Sequence, residues 1–309
     1  MTPTGSRHHA PPSHAPAMRQ CPPFGTTPCP MYRENTMYNR MKLQATRLIR
    51  DSYVYFKMPR ALLTHFDRLA AAYDQLDRKQ KHAFSFPDQT DGFLPFGLEY
   101  SLTPERPDLC DRFCYWVARR DAHHGFALAK SAFYREIAAY EACIHTIAQD
   151  LLDAVCDNLG GTPQPPVRHS SYLQFCAYER HPGSHDRAYL QDPHEDGHLL
   201  SFIRPTAPGL VLLPDSSPLS ALPRPDEMIV LAGSLLEALT DGEVPAMQHA
   251  VERPRTRTPR KSLMYFVNPD LSAGHASTIV NQRPLDLRSL AEGRHVAFGN
   301  RALRRPCAA

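Results

Sequence analysis

The stretch 193-PHEDGHLLSF-202 places His194, Glu195 and Asp196 directly before an apolar run of Leu199, Leu200, Phe202 and Ile203. Titratable groups at the edge of a segment that is driven to bury cost free energy unless something compensates them, and a metal ion is one such compensator. In extended chain, residues two apart face the same side, so His194 and Asp196 can reach one ion together. An H-x-D pair alone is weak evidence, because chance yields about one in a chain of this composition with 16 histidines. The chain supplies its own decoy, His65-Phe66-Asp67. That pair lies in helical sequence, where positions two apart point about 200° from one another and cannot share a ligand.

Working outward, the strand-like segment MQHAV offers a third donor, His249, 55 residues after His194. Two histidines and one carboxylate on one side of an ion leave its other positions open, an arrangement associated with non-haem Fe(II) oxygenases. The same triad could hold Zn²⁺ or Mn²⁺ in a hydrolase or a cupin-like enzyme. Eleven residues past His249 the chain reads 260-RKSLMYFVNP-269, with Arg260 and Ser262 on one face of a strand. A planar guanidinium beside a hydroxyl is a good carboxylate receptor. The alternative, a surface arginine of the basic run RPRTRTPRK, suits Arg253, Arg255 and Arg257 better than it suits Arg260.

From Pro166 onward, short apolar runs (SYLQFCAY, HLLSFI, GLVLL, EMIVLAGS, MQHAV, SLMYFVN) alternate with Pro, Gly, Asp and Ser clusters. That rhythm predicts a β-sandwich or barrel of the jelly-roll type. Upstream the period is helical. Leu62, Phe66, Leu69, Tyr73 and Leu76 recur at three and four, and a second helix is predicted over about 131–158, closed by Gly160 and Gly161. The expected fold class is α+β: a double-stranded β-helix (jelly-roll) core with a helical N-terminal part and a short C-terminal helix. The expected segments are a disordered Pro-rich leader over 1–40, a helical region over 41–165, the catalytic core over 166–285, and a C-terminal helix and tail over 286–309. The leader expectation rests on eight prolines in the first thirty residues.

The chain has 309 residues, 42% of them hydrophobic, and a net charge of +3 with the two signs interleaved. No basic stripe suggests nucleic acid or a membrane surface, so a small molecule is the expected partner. No window is apolar enough for a membrane span, and the first residues lack a signal-peptide profile. Eight scattered cysteines read as free thiols of a reducing, cytoplasmic compartment. Cys110 and Cys114 make half a zinc spacing without a second half.

In order along the chain, DSYVYFKMP, DGFLPFG, HEDGHLLSFI, PGLVLL, the stretch ending in MQHAV, and RKSLMYFVNPD resemble the isopenicillin N synthase-like branch of the 2-oxoglutarate/Fe(II)-dependent dioxygenases over roughly 45–300. The resemblance implies that His194, Asp196 and His249 bind Fe(II), and that Arg260 with Ser262 holds the distal carboxylate of 2-oxoglutarate. It also implies that Tyr178 touches that cosubstrate, and that O₂ is consumed with release of succinate and CO₂. The implied reaction is hydroxylation or desaturation of a small molecule, in specialised (secondary) metabolism. An oxidase of the isopenicillin N synthase type, working without 2-oxoglutarate, and a binding protein that has lost turnover stay open. His198 stands where the family has a small residue. Phe93, Phe96, Gln174, Arg204 and Phe266 are candidates to contact substrate. No motif encodes the substrate or the oligomeric state.

Overall fold

A computed structural model describes residues 35–178, 187–214, 217–253, 259–270 and 276–300, with the side chains described from residue 39 onward. The leader expected over the first residues lies outside them up to residue 34.

The helical periodicities become α1 (Asn35–Asp51), α2 (Arg60–Tyr73), the short α3 (Arg78–Ala83) and the long α4 (Ala132–Asn158). Pro59 precedes α2, where a fixed φ and a missing N–H cost nothing. The Ser131 hydroxyl accepts from the Tyr134 amide and caps α4. The six predicted runs become β5 (Tyr172–Tyr178), β7 (Leu200–Pro205), β8 (Leu210–Leu212), β10 (Glu227–Ala232), β11 (His249–Glu252) and β12 (Arg260–Val267), and a further strand that none of them covers, β6 (Tyr189–His194), leads into the motif. β9 (Leu219–Ser220), the pair β13 (Ala276–Ser277) and β14 (Pro284–Leu285), the short helix α5 (Ser234–Leu239) and the C-terminal α6 (Leu287–Ala297) complete this half.

The region read as helical also contributes strands: β1 (Tyr53–Lys57), β2 (Ser85–Phe86), β3 (Asp91–Leu94) and β4 (Asp111–Trp116). Their short runs, DGFL and DRFCYW, carry too little periodicity to distinguish them from loop, and pairing with the core decides their state. All four join one antiparallel sheet of order β1-β10-β7-β12-β5-β4-β3-β2, facing a second sheet of order β6-β11-β8-β9. This is the double-stranded β-helix.

Alternation along β5 builds both faces of the large sheet. Phe175 meets Tyr73 of α2 at 4.8 Å and Phe133 of α4 at 5.8 Å, whereas Tyr172, Gln174 and Tyr178 line a cavity between the sheets. β12 repeats the pattern: Lys261 reaches back to the Ala70 carbonyl (2.8 Å) on α2, while Arg260, Ser262, Met264 and Phe266 face the cavity. Glu141 of α4, almost fully buried, is clamped by Arg168 through two bonds of 2.9 and 2.7 Å, which fixes the helix to the chain entering β5.

Phe133 sits at the centre of the helix–sheet seam, fully buried, with Phe113, Phe175, Tyr73 and Phe93 around it at 4.9 to 6.2 Å. Phe133→Ala is expected to destabilise the fold by about 3–5 kcal/mol through transfer and cavity terms. Urea unfolding checks this, and a loss below about 1 kcal/mol would mean that the seam collapses around the hole.

Candidate metal and cosubstrate site

The two histidines of the motif lie opposite one another on neighbouring strands, His194 at the end of β6 and His249 at the start of β11. Asp196 is not on a strand. The chain leaves β6 at His194 and bends, so the alternation expected of extended sequence does not bring Asp196 round. The loop's backbone does so instead. The amides of Gly233, Ser234 and Leu235, at the start of α5, donate to the carbonyls of Leu199 (3.1 Å), Asp196 (2.9 Å) and His198 (3.1 Å). Orphan amides of a helix start thereby fix the loop's shape.

Position 233 requires glycine, because a Cβ there would lie 2.2 Å from the His198 carbonyl oxygen and 2.8 Å from that of Asp196. Gly233→Ala is therefore expected to push the loop outward and weaken metal binding by about 10- to 100-fold, the scale seen when the support of a metal ligand is lost. Anaerobic Fe(II) titration of the variant checks this, and unchanged affinity would show that the loop is held elsewhere.

One potential ligand atom from each of His194, Asp196 and His249 falls within 4.8 Å of the others. The Nε2 atoms of His194 and His249 lie 3.6 and 3.7 Å from the two Asp196 oxygens, and Oδ2 of Asp196 is buried without a hydrogen-bond partner. His194 donates from Nδ1 to the Asp192 carbonyl (2.8 Å), and His249 donates from Nδ1 to the Met247 carbonyl (3.1 Å). Both rings are thus held with the Nε2 lone pair turned inward, the orientation a metal needs. Burial raises the Asp196 carboxyl, but the imidazoles of His249 and His194 outweigh it and hold the group well below the usual range. An anionic carboxylate and two imidazoles facing one point fit a divalent cation.

His198 is not among the clustered donors. It shares a hydrogen bond of 2.9 Å with Asn268 Oδ1 and stacks on Phe266 at 4.3 Å, and burial lowers its basicity. Its role is to pin the motif loop to β12. His65, the decoy, pairs instead with Glu136 at 2.7 Å.

Across the cavity, Arg260 is about 1% exposed, yet Nε and Nη1 have no hydrogen-bond partner among the described residues, and neither does the Ser262 hydroxyl. Gly209, at φ +129°, passes so close that a Cβ would sit 3.5 Å from Arg260 Nε. Tyr178 is opposite Arg260 in the β5–β12 register, its ring 4.6 Å below the guanidinium, and its hydroxyl donates to Gln191 Oε1. A buried guanidinium, a hydroxyl without a partner and an oriented tyrosine have the chemistry to receive a carboxylate.

Of the residues expected to contact substrate, Gln174 and Phe266 line the cavity. The others do not. Phe93 packs in the aromatic seam against Phe113 at 4.8 Å, and Phe96 is 47% exposed. Arg204 donates to the Pro205 and Pro225 carbonyls over the ring of Phe66, because it lies on the helix-facing side of β7. Glu99, Asp108, Arg112, His295 and Asn300 line the cavity although no sequence pattern marks them as a group. Arg112 has one legible signal: a second charged residue, after Asp111, leading straight into the apolar run FCYW of its strand. Among the described residues no helix is long and apolar enough to cross a membrane.

Residues 169–269 match the family model of the 2OG-Fe(II) oxygenase superfamily, a span that contains all six residues of the site. No curated protein sequence matches the chain. Among solved structures, a full-length Neurospora crassa protein in complex with alpha-KG superposes with a TM-score of 0.68 at 14% identity, covering 84% of this chain and 92% of that one. The rice dioxygenase for auxin oxidation (DAO) gives 0.68 at 16% identity, covering 88% and 94%. JOX2, in complex with 2OG, Fe and JA, gives 0.64 at 14%, covering 85% and 83%. At these identities the likeness establishes the fold.

Proposed function

We propose, on the premise that this chain carries a 2OG-Fe(II) oxygenase domain and is an oxidoreductase that takes Fe(II), 2-oxoglutarate and O₂, that it oxidises a small molecule, by hydroxylation or desaturation, at a centre held by His194, Asp196 and His249. The observation that carries this reading is the pairing of two features in one cavity: an inward-facing His-Asp-His set, and a buried Arg260 whose Nε and Nη1 have no hydrogen-bond partner among the described residues. Buried donors of a cation left unpaired are expensive to keep, so the site is suited to an anion that comes and goes.

Bound iron with 2-oxoglutarate supplies the oxidising chemistry, in which O₂ is consumed and succinate and CO₂ are released. The residues set its conditions. His194, Asp196 and His249 hold the metal on one side and leave the other side free for cosubstrate. Arg260 and Ser262 receive the distal carboxylate of 2-oxoglutarate, and Tyr178, fixed by Gln191, lies along the same wall. Phe266 and Met264 add apolar surface to the same cavity, which limits water there. A role in specialised metabolism, among small organic substrates, belongs to the same proposal.

The test is O₂ uptake and succinate formation by the iron-loaded protein, with and without 2-oxoglutarate. Dependence of both on 2-oxoglutarate is expected. O₂ uptake that proceeds equally without it would replace this reading by an oxidase of the isopenicillin N synthase type.

A further inference from the structure

Four buried side chains line the cavity besides the metal set and Arg260: Glu99, Arg112 on β4, Gln174 on β5 and Asn300 beyond α6. Arg112 is matched on both sides, by Glu99 at Nε and by Asp108 at Nη2 (2.5 Å). Gln174 Nε2 donates to both Glu99 oxygens at 3.0 Å, and the Asn300 side chain also bonds Glu99. Backbone contacts tie the wall's segments together. The Tyr100 amide donates to the Phe298 carbonyl (3.3 Å), and Gly299, at φ +82°, lets the two segments approach so closely that a Cβ would meet the Leu98 carbonyl at 2.3 Å.

Among the described residues the only arginines lining this cavity are Arg112 and Arg260, and no lysine lines it. Arg112 is already neutralised, and the proposed function assigns Arg260 to 2-oxoglutarate. His295 also lines the cavity, and burial pushes its imidazole down to about 3. No unpaired arginine or lysine is left over among these residues, and Arg112 already faces two carboxyl groups, Glu99, which burial raises, and Asp108. Besides Arg112 Nε, which lies against Glu99 without hydrogen-bond geometry, two polar atoms here are unpartnered, Asn300 Oδ1 and His295 Nε2, on side chains only 6% and 4% exposed. The first is an acceptor.

We infer that this wall is the substrate-recognition surface, and that it selects an uncharged molecule carrying an N–H or O–H donor, such as an amide, lactam or alcohol, over a carboxylic acid. A carboxylate placed here would face Glu99 and Asp108 with no free cation, and burying it unpaired is strongly unfavourable. An uncharged donor satisfies Asn300 Oδ1 and leaves every existing pair intact. This rests on the proposed function, since it takes Arg260 as occupied by cosubstrate.

The experiment uses matched amide and carboxylate pairs on aliphatic, aromatic and heterocyclic skeletons, including indole-3-acetamide with indole-3-acetate and uracil with orotate. Each probe is added to the full chain loaded with Fe(II) and 2-oxoglutarate. The readouts are perturbation of the visible charge-transfer band and stimulation of succinate formation. The uncharged members are expected to act at concentrations at least about tenfold lower than their acids, the ratio expected when a polar group is buried unpaired. Glu99→Gln, which releases Arg112 from one of its two carboxylates, is expected to narrow or reverse that ratio. Asn300→Leu is expected to weaken the amides while leaving the band intact. Carboxylates that act at the lower concentration, or silence of every uncharged probe at millimolar concentration, would overturn the assignment. Failure of the charge-transfer band to form at all would instead overturn the proposed function, and this inference with it.

Discussion

His249→Ala is expected to abolish Fe(II) binding in the micromolar range and, with it, 2-oxoglutarate-dependent succinate formation. Losing the support behind a ligand typically costs 10- to 100-fold in metal affinity, so losing the ligand itself should cost at least about 100-fold. His194 and Asp196 cannot compensate. They arrive from one strand end and its following loop, and among the described residues no further His, Cys, Asp or Glu completes a cluster with them. The barrel should survive, because position 249 pairs with His194 and Leu212 through its backbone, which alanine retains. The checks are iron content after anaerobic loading and a thermal melt of the apoprotein. A variant with native melting and full turnover would remove His249 from the metal site.

The reasons these residues can be read from sequence, and others cannot, are physical. His194, His249, Arg260 and Ser262 sit on strands whose period-two alternation is visible locally, so the sequence alone tells which side chains share a face. The same rule reaches Asp196 for the wrong reason. Asp196 lies past the strand end, and amides from residues 233–235, nearly forty positions away, turn it toward the histidines. The substrate wall shows the limit more plainly. Glu99, Arg112, Gln174 and Asn300 come from a loop, two strands and the chain after α6, and only tertiary pairing makes them neighbours. Arg204 fails in the opposite direction. It follows the metal motif closely in sequence, yet alternation on β7 sends it to the helix side, where Phe66 and two proline carbonyls receive it. Likewise the strands β3 and β4 are short enough that their state is set by pairing, β4 against β5 and β3 against β4.

Arg260→Ala is the substitution with the largest expected effect on the cosubstrate. A buried hydrogen-bonded charge pair that loses one partner costs about 3–5 kcal/mol, because the other charge stays buried and unpaired. The dissociation constant for 2-oxoglutarate should therefore rise by about two to three orders of magnitude. Iron binding should be unchanged, since Arg260 is not among the clustered donors. The apoprotein gives a second, independent sign. In the wild type the guanidinium is about 1% exposed, and two of its nitrogens have no partner among the described residues, so its removal takes away an uncompensated buried charge. Loss of its packing offsets that relief, and the apo melting temperature is expected to move little. The rise in melting temperature that saturating 2-oxoglutarate gives the iron-loaded wild type should vanish in the variant, as it follows directly from affinity. Arg260→Lys should recover only part of it, because an ammonium cannot offer two parallel donors to a carboxylate. If Arg260→Ala melted far below the wild type as apoprotein yet kept its affinity for 2-oxoglutarate, the arginine would be a structural cation, and the cosubstrate would have to be received elsewhere.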